Sequence, residues 1–282
     1  MKAFIKQVLI TSRPFGWVIF WVSYLGGYLV SYQTFSLYHL INIVLLGPIL
    51  SFPIYALNDI EDYPSDSLNP RKKYWFMGGV LLPKYWKRFR GLSNLCILLV
   101  LIIPLLFGNQ LGFIFSLIGI FIGIGYSVPP LRFKRILGCD IATTVIGFAC
   151  LFMIPVSYHF TSDKLIMVMP YLLFSCLMVF SWSILCLGLD YESDKKAKQI
   201  TTLARMCNNM TFILSSLGYL ASFAILNLQF KSSYSYLLCF CAFLLLLGLK
   251  YKSTKFLVTL MIIVTILSVI SYSSLFFKFL IW

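Results

Sequence analysis

Apolar stretches long enough to cross a bilayer recur nine times along this chain, at about 14–33, 37–57, 91–107, 110–126, 139–160, 165–189, 209–228, 233–250 and 255–280. A spanning helix needs roughly 20 mostly apolar residues, because backbone polar groups in hydrocarbon must find partners within their own segment. No soluble interior built from 282 residues hides this much apolar surface: 60% of the residues are hydrophobic and 11% charged, against about 25% charged in soluble domains. The expectation is an all-α, polytopic membrane protein. Nine transmembrane helices would form a bundle around a central cavity, with residues 1–282 as a single membrane-embedded domain. The third and fourth stretches are short and joined by Phe107-Gly108-Asn109-Gln110, which reads as a tight hairpin. The first apolar run is too long for a cleavable signal and no Ala-x-Ala site follows it, so it reads as a retained span.

Basic residues orient these spans. Arg13, the run from Arg71 to Arg90, Arg132 to Arg135, Lys195 to Arg205, and Lys250 to Lys255 all fall on one face with Lys2 and Lys6. Twenty of the 23 Lys and Arg lie there; only Lys164, Lys231 and Lys278 lie opposite. The crowded face is cytoplasmic by the positive-inside rule, which puts the N-terminus in the cytoplasm and the C-terminus outside a cytoplasmic membrane. The net charge of +14 is the sum of that basic rim. It attracts anionic lipid heads and anionic substrates, and implies no nucleic acid partner. The eight cysteines lie mostly inside apolar runs with no Cys-x-x-Cys, so they read as small hydrophobes in helix packing.

Acidic residues are the informative minority. Seven of nine fall in two short windows: Asp59, Glu61, Asp62 and Asp66, then Asp190, Glu192 and Asp194. Each window begins where a span leaves the membrane on the cytoplasmic side, and four spans separate them. That spacing suggests a parallel internal repeat of spans 1–4 and 5–8 plus span 9. Asn58, Asp62 and Asp66 step by four and Asp59 precedes Asp62 by three, which places them within one helical arc of roughly 100°. Asp190 and Asp194 repeat the four-residue step; Glu61 and Glu192 project elsewhere. Pro64 ends or bends the first helix nearby. Crowded carboxylates stay ionised only beside a cation. Hard oxygen ligands select Mg²⁺ or Ca²⁺, and Mg²⁺ commonly joins carboxylates to substrate phosphates. Two such clusters suit a diphosphate bridged by Mg²⁺. The plainer alternative is an acidic loop paired with neighbouring Lys and Arg. Asp140, opening the fifth span, either caps that helix or joins the site.

These residues resemble a known family. Asn58-Asp59-Ile60-Glu61-Asp62-Tyr63-Pro64-Ser65-Asp66 resembles the N-D-x-x-D-x-x-x-D motif of the UbiA superfamily of intramembrane prenyltransferases. Asp190-Tyr191-Glu192-Ser193-Asp194 is similar to its D-x-x-x-D motif, and Tyr126-Ser127-Val128-Pro129-Pro130-Leu131-Arg132-Phe133-Lys134 to its Y-S-x-P-P-x-R-x-K stretch. Ser12-Arg13-Pro14 matches the entry to its first helix. Asp66-Ser67-Leu68-Asn69-Pro70-Arg71-Lys72, with Gly78-Gly79 and Leu82-Pro83-Lys84, looks like the lycopene elongase branch. One departure is Lys198, where the family usually carries Gly four residues after the last Asp.

The resemblance implies Mg²⁺-dependent transfer of a prenyl group from an isoprenoid diphosphate to a lipophilic acceptor in the membrane. It implies Asn58, Asp59, Asp62, Asp66, Asp190 and Asp194 as metal-binding and catalytic residues. Arg13, Arg71, Lys72, Tyr126, Arg132, Lys134 and Arg135 would bind the diphosphate. The branch points to lycopene elongation in carotenoid synthesis; the alternative is an aromatic acceptor of quinone biosynthesis. Of a different class is a secondary transporter, but transporter acids lie near mid-span and these lie at one face. A phosphatidyl-alcohol transferase would need a D-G-x-x-A-R core, which is absent.

Overall fold

A computed structural model describes residues 2–31, 34–75, 78–198, 201–202, 208–251 and 253–280. The expected end of the first span at 33, the basic residues Arg205 and Lys252, Cys207 and Trp282 lie outside the described residues. Among the described residues every regular element is a helix, as the apolar runs require.

A short helix, α1 (Lys2–Thr11), meets α2 (Pro14–Val30) at a bend of 48°. Pro14 has no N–H to lose and starts α2, while Arg13 turns the chain with a left-handed φ of 51°. The second span is α3 (Leu37–Leu46) followed by α4 (Pro48–Glu61), 25 residues broken at Gly47. Pro48 removes a ladder donor, and any side chain on Gly47 would strike the Trp21 indole packed there. That indole donates instead to the carbonyl of Ile43 (2.7 Å). There follow α5 (Tyr63–Asp66), α6 (Trp86–Leu106), α7 (Gln110–Gly125), α8 (Cys139–Val156) and α9 (Ser162–Lys196). The chain ends in α10 (Asn208–Phe230), α11 (Ser235–Leu247) and α12 (Thr254–Leu280).

The chain is an integral membrane protein by its apolar helices. Among the described residues, six helical stretches are long and apolar enough to cross a membrane, or seven if α1 and α2 form one bent span. Each of the nine expected stretches contains a helix, but α7 and α11 have only 16 and 13 residues. At 1.5 Å per residue they reach about 24 and 20 Å, short of a hydrocarbon core of about 30 Å. Helix α9 is the opposite case. Its 35 residues extend about 52 Å, so its last turns carry Asp190, Glu192 and Asp194 beyond the apolar layer.

Packing runs α7 on α8, α8 on α2 and α9, α4 on α6, and α10 between α9 and α11. The main core joins α2, α8 and α9 to the C-terminal helices through Phe152, Phe174, Phe212 and Tyr219, all at or below 1% exposure. The opposite face of the bundle is apolar too. Leu95, Leu98, Leu99, Ile102 and Leu106 on α6, and Leu111, Ile114, Ile118 and Phe121 on α7, are exposed. A continuous apolar surface of that kind belongs in lipid rather than water.

Candidate active site

One cavity of about 230 Å³ lies among α2, α4, α7, α8 and α9. One end is polar, lined by Arg13, Asn58, Asp62, Asp66, Arg71, Tyr126, Lys134, Asp190 and Asp194. Deeper in, the walls are Phe15, Phe20, Leu50, Ile54, Phe148 and Leu151. Glycines at 16, 119, 123 and 147 give it width; at Gly147 an added Cβ would meet no atom within 4 Å. Two acid clusters more than a hundred residues apart in sequence thus share one polar wall.

Local structure explains how the first cluster is presented. Helix α4 ends at Glu61, Asp62 departs from helical dihedrals, and Pro64 restarts the chain as the short α5. Asp62 accepts from Asn58 Nδ2 (2.9 Å) and pairs with Lys134 Nζ. Asn58 also donates to Ser127 Oγ (2.5 Å), tying α4 to the Tyr126–Lys134 loop. Asp59, expected on the same face, does not line the cavity. It is fully buried behind the cavity wall, between Arg13 Nη2 (2.6 Å) and Lys72 Nζ (3.0 Å). Asp59 is at the far edge of the shared arc, roughly 100° from Asn58, and that edge faces Arg13 and Lys72. Lys72 reaches on to Asp66 Oδ2 (2.7 Å) and so sits behind the wall as well.

The second cluster is held by the loop that follows the first. Arg71 Nε and Nη2 donate to the two oxygens of Asp190 (both 2.9 Å), a bidentate geometry that only arginine offers. Asn69 Nδ2 adds a third donor (2.6 Å), and its Oδ1 accepts from the Arg71 backbone N–H, fixing the turn. Asp194 lines the cavity one turn further on. Lys198 has a left-handed φ of 54°. Glycine takes that conformation without cost, so the turn survives its replacement by Lys at about 1–2 kcal/mol of strain.

Asp140 is a latch. Buried to 1% exposure, it accepts from the backbone N–H of Thr202 (2.8 Å) and from the Thr202 hydroxyl (2.5 Å). It thereby pins the start of α8 to the segment after the second cluster, where Thr201 lines the cavity. Besides Lys72, two expected diphosphate ligands are not on the cavity wall. Arg132 instead donates to Glu61 (3.0 Å) and to the Ser127 carbonyl (3.2 Å), and Arg135 is exposed. Glu61 is thus held by Arg132, with Arg90 at 3.8 Å, and Glu192 is exposed. Sequence reasoning met Asn69, Ser127 and Thr201 within family-like stretches but gave them no role in the site, because they carry no charge to single them out.

Electrostatics at the polar end are crowded. Burial pushes the Asp66 carboxyl up to about 6; Lys72 pulls it down and the Asp59 carboxylate adds to the rise. Burial disfavours charge on Arg71 most strongly, but Asp190, Asp66 and other neighbours together outweigh it and the guanidinium is held above its usual range. Among the described residues no three carboxylate, histidine or cysteine side chains converge as around an ion. Their partners are Lys and Arg. The donors nevertheless suit a hard cation: four Asp carboxylates line the cavity, and Asp59 Oδ2 is buried with no hydrogen-bond partner. A divalent ion fits by taking over carboxylate oxygens from the lysines.

The profile of the UbiA prenyltransferase family matches residues 19–257. Two curated relatives, both lycopene elongase/hydratase proteins of Corynebacterium glutamicum, are 30% and 29% identical over 163 residues. The match covers 57% of this chain and 52% of theirs, so the chain spans about half the length of the curated relatives it matches. Among solved structures, a UbiA homologue from Archaeoglobus fulgidus bound to GPP and Mg²⁺ superposes with a TM-score of 0.69 at 17% identity, covering 95% of this chain and 99% of that one. The same homologue bound to DMAPP and Mg²⁺ gives 0.67 at 17%, over 95% and 98%. A structure of digeranylgeranylglyceryl phosphate synthase gives 0.63 at 16%, over 95% and 96%. At these identities the likeness is one of fold.

Proposed function

The chain belongs to the UbiA prenyltransferase family, and from that premise we propose that it transfers a prenyl group from an isoprenoid diphosphate to a lipophilic acceptor inside the membrane. One observation carries the reading: one cavity with acids and bases at its mouth and an apolar shaft below. A diphosphate fits the mouth and its hydrocarbon tail fits the shaft. Bound Mg²⁺ would neutralise the leaving diphosphate. Asn58, Asp59, Asp62, Asp66, Asp190 and Asp194 are the residues we assign to holding it.

The protein's own groups divide the remaining work. Arg13, Arg71 and Lys134 stand at the mouth, where charge develops on the leaving group as its C–O bond breaks. Tyr126 shares that wall, and Lys72 supports it through Asp59 and Asp66. The shaft excludes water from the allylic cation, with Phe15, Phe20 and Phe148 among its walls. The acceptor attacks there without a nucleophilic side chain. We read residues 1–282 as one membrane-embedded unit. Lycopene, extended by a five-carbon donor, is the acceptor favoured by the Asn69-Pro70-Arg71-Lys72 stretch and supported by the 30% identical relatives. Incubating membranes with labelled dimethylallyl diphosphate, Mg²⁺ and lycopene should give longer carotenoids, visible by mass. Prenylated 4-hydroxybenzoate with lycopene untouched would replace the acceptor and leave the transferase intact. No labelled lipid from any prenyl diphosphate would overturn the reading.

Two further expectations arise here. Asp66 must be ionised to serve a cation, and in the metal-free protein it ionises only above about 6. Affinity for Mn²⁺, followed by electron paramagnetic resonance on purified protein, should therefore fall roughly tenfold per pH unit below that point. An affinity flat down to pH 4.5 would remove Asp66 from the site. Orientation is the second. With twenty of 23 basic residues on one face, a reporter fused at residue 252 should read cytoplasmic and one after Trp282 outside. A cytoplasmic reading at both positions would mean that the number of crossings is even.

A further inference from the structure

A second, smaller cavity of about 50 Å³ lies deeper in the bundle, between α2, α9, α10 and α12. Among the described residues Trp182 is the one that lines both cavities. Its indole is therefore the partition between them. No hydrogen bond holds that partition: Trp182 Nε1 is buried and without a partner. An indole N–H in that state forgoes about 1–3 kcal/mol, so packing for stability alone does not account for tryptophan at this position.

The depth of the partition is set by helix geometry. Trp182 precedes Asp190 by eight residues on α9, and Leu50 precedes Asn58 by eight on α4. Phe20 follows Arg13 by seven, and Gly119 precedes Tyr126 by seven. All these pairs line the main cavity, so its apolar end lies about 10–12 Å below the polar residues on four walls at once. Each isoprene unit adds four carbon–carbon bonds of about 1.5 Å, or about 5 Å when extended. The shaft therefore accommodates two units. Beyond Trp182 the line continues past Ser175, Met178 and Val179 of α9 into the smaller cavity, which is mostly apolar.

Building on the prenyltransferase reading above, we propose that Trp182 is the floor of the donor site and limits the donor to two isoprene units. The smaller cavity is the space a third unit would enter were the indole absent. Trp182 is thus a specificity-determining residue for donor length.

The test is a binding ladder on the purified full chain in detergent, with Mg²⁺ and dimethylallyl, geranyl, farnesyl or geranylgeranyl diphosphate. Wild-type protein should bind the C10 compound at least tenfold more tightly than the C15 and C20 compounds. Trp182→Ala should bring the C15-to-C10 affinity ratio to within threefold of unity, and Trp182→Phe, which keeps a ring in place, should shift it less. If Trp182→Ala does not fold, Trp182→Leu makes the same measurement. Wild-type affinities that are equal from C10 to C20, or a ratio unmoved by the substitutions, would overturn the floor while leaving the transferase reading standing. Failure of the wild-type protein to bind any prenyl diphosphate would overturn the transferase reading itself.

Discussion

Replacing Asp62 or Asp194 with alanine should lower turnover by on the order of a hundredfold or more, the usual cost of deleting a group that stabilises transition-state charge. Both side chains line the polar end of the cavity, Asp62 from just past the end of α4 and Asp194 from α9. Asp62 is the better anchored, through Asn58 and Lys134. Its removal strands the Lys134 ammonium at 3% exposure, so Asp62→Asn is the companion variant that keeps the shape and deletes only the charge. The matched controls are Glu61→Gln and Glu192→Gln. Glu61 holds Arg132 away from the cavity and Glu192 is exposed, so each should cost several-fold at most. Turnover per folded protein, normalised by melting temperature in detergent, is the measurement. Glu variants as damaging as the Asp variants would mean that total acidity, not the cavity face, drives the chemistry.

The contrast between Asp59 and Asp62 shows what the sequence revealed and what it hid. Hydrophobic run length made the all-helical membrane architecture plain, because lipid permits few alternatives. The clustering of acids at the exits of two spans marked the candidate site, because seven of the nine acids fall there against a rim that is otherwise basic. Which acid faces the cavity was less legible. A helical wheel gives relative angles along one helix but not the direction in which that helix turns its face. Asp59 fell behind the wall, where it pairs with Lys72 and with Arg13 of the wall itself. Arg132, expected on the diphosphate, is carried by the loop between α7 and α8, where no helical wheel applies, and lies instead against Glu61.

Other parts of the site carried no signal at all. Asn69 reaches Asp190 across 121 positions of sequence, and nothing local marks that contact. Trp182 looks like any aromatic residue in an apolar run; only the two cavities on either side of it give it a role. Crossing number is the third case. Apolar run length measures how much of the chain tolerates lipid, whereas helix length measures how far it reaches, and the two diverge at α7 and α11. Lys198 is the converse, since an apparent defect in the second motif proves to be a side chain that accepts the same left-handed turn.

Chelation of divalent metal should reduce turnover to background, and Mg²⁺ should restore it. The reason lies in the charge balance at the cavity mouth. Four carboxylates, of Asp62, Asp66, Asp190 and Asp194, share that wall with three cationic side chains, Arg13, Arg71 and Lys134. Arg71 and Lys134 are already engaged with Asp190 and Asp62. A diphosphate arriving alone adds negative charge to a surface with no cation to spare, and the Asp66 carboxyl is already pushed up by its surroundings. Donor affinity should therefore fall together with turnover when metal is withdrawn, which separates a metal that binds substrate from one that acts only in bond breaking. Ca²⁺ should restore less than Mg²⁺, because it prefers oxygen ligands at 2.3–2.6 Å rather than about 2.0–2.1 Å and a looser shell. Affinity and turnover would be followed on the same membranes in EDTA, then after stepwise addition of each ion. Full activity in chelator would mean that Lys and Arg alone carry the diphosphate, and that the carboxylates serve to hold those bases in place.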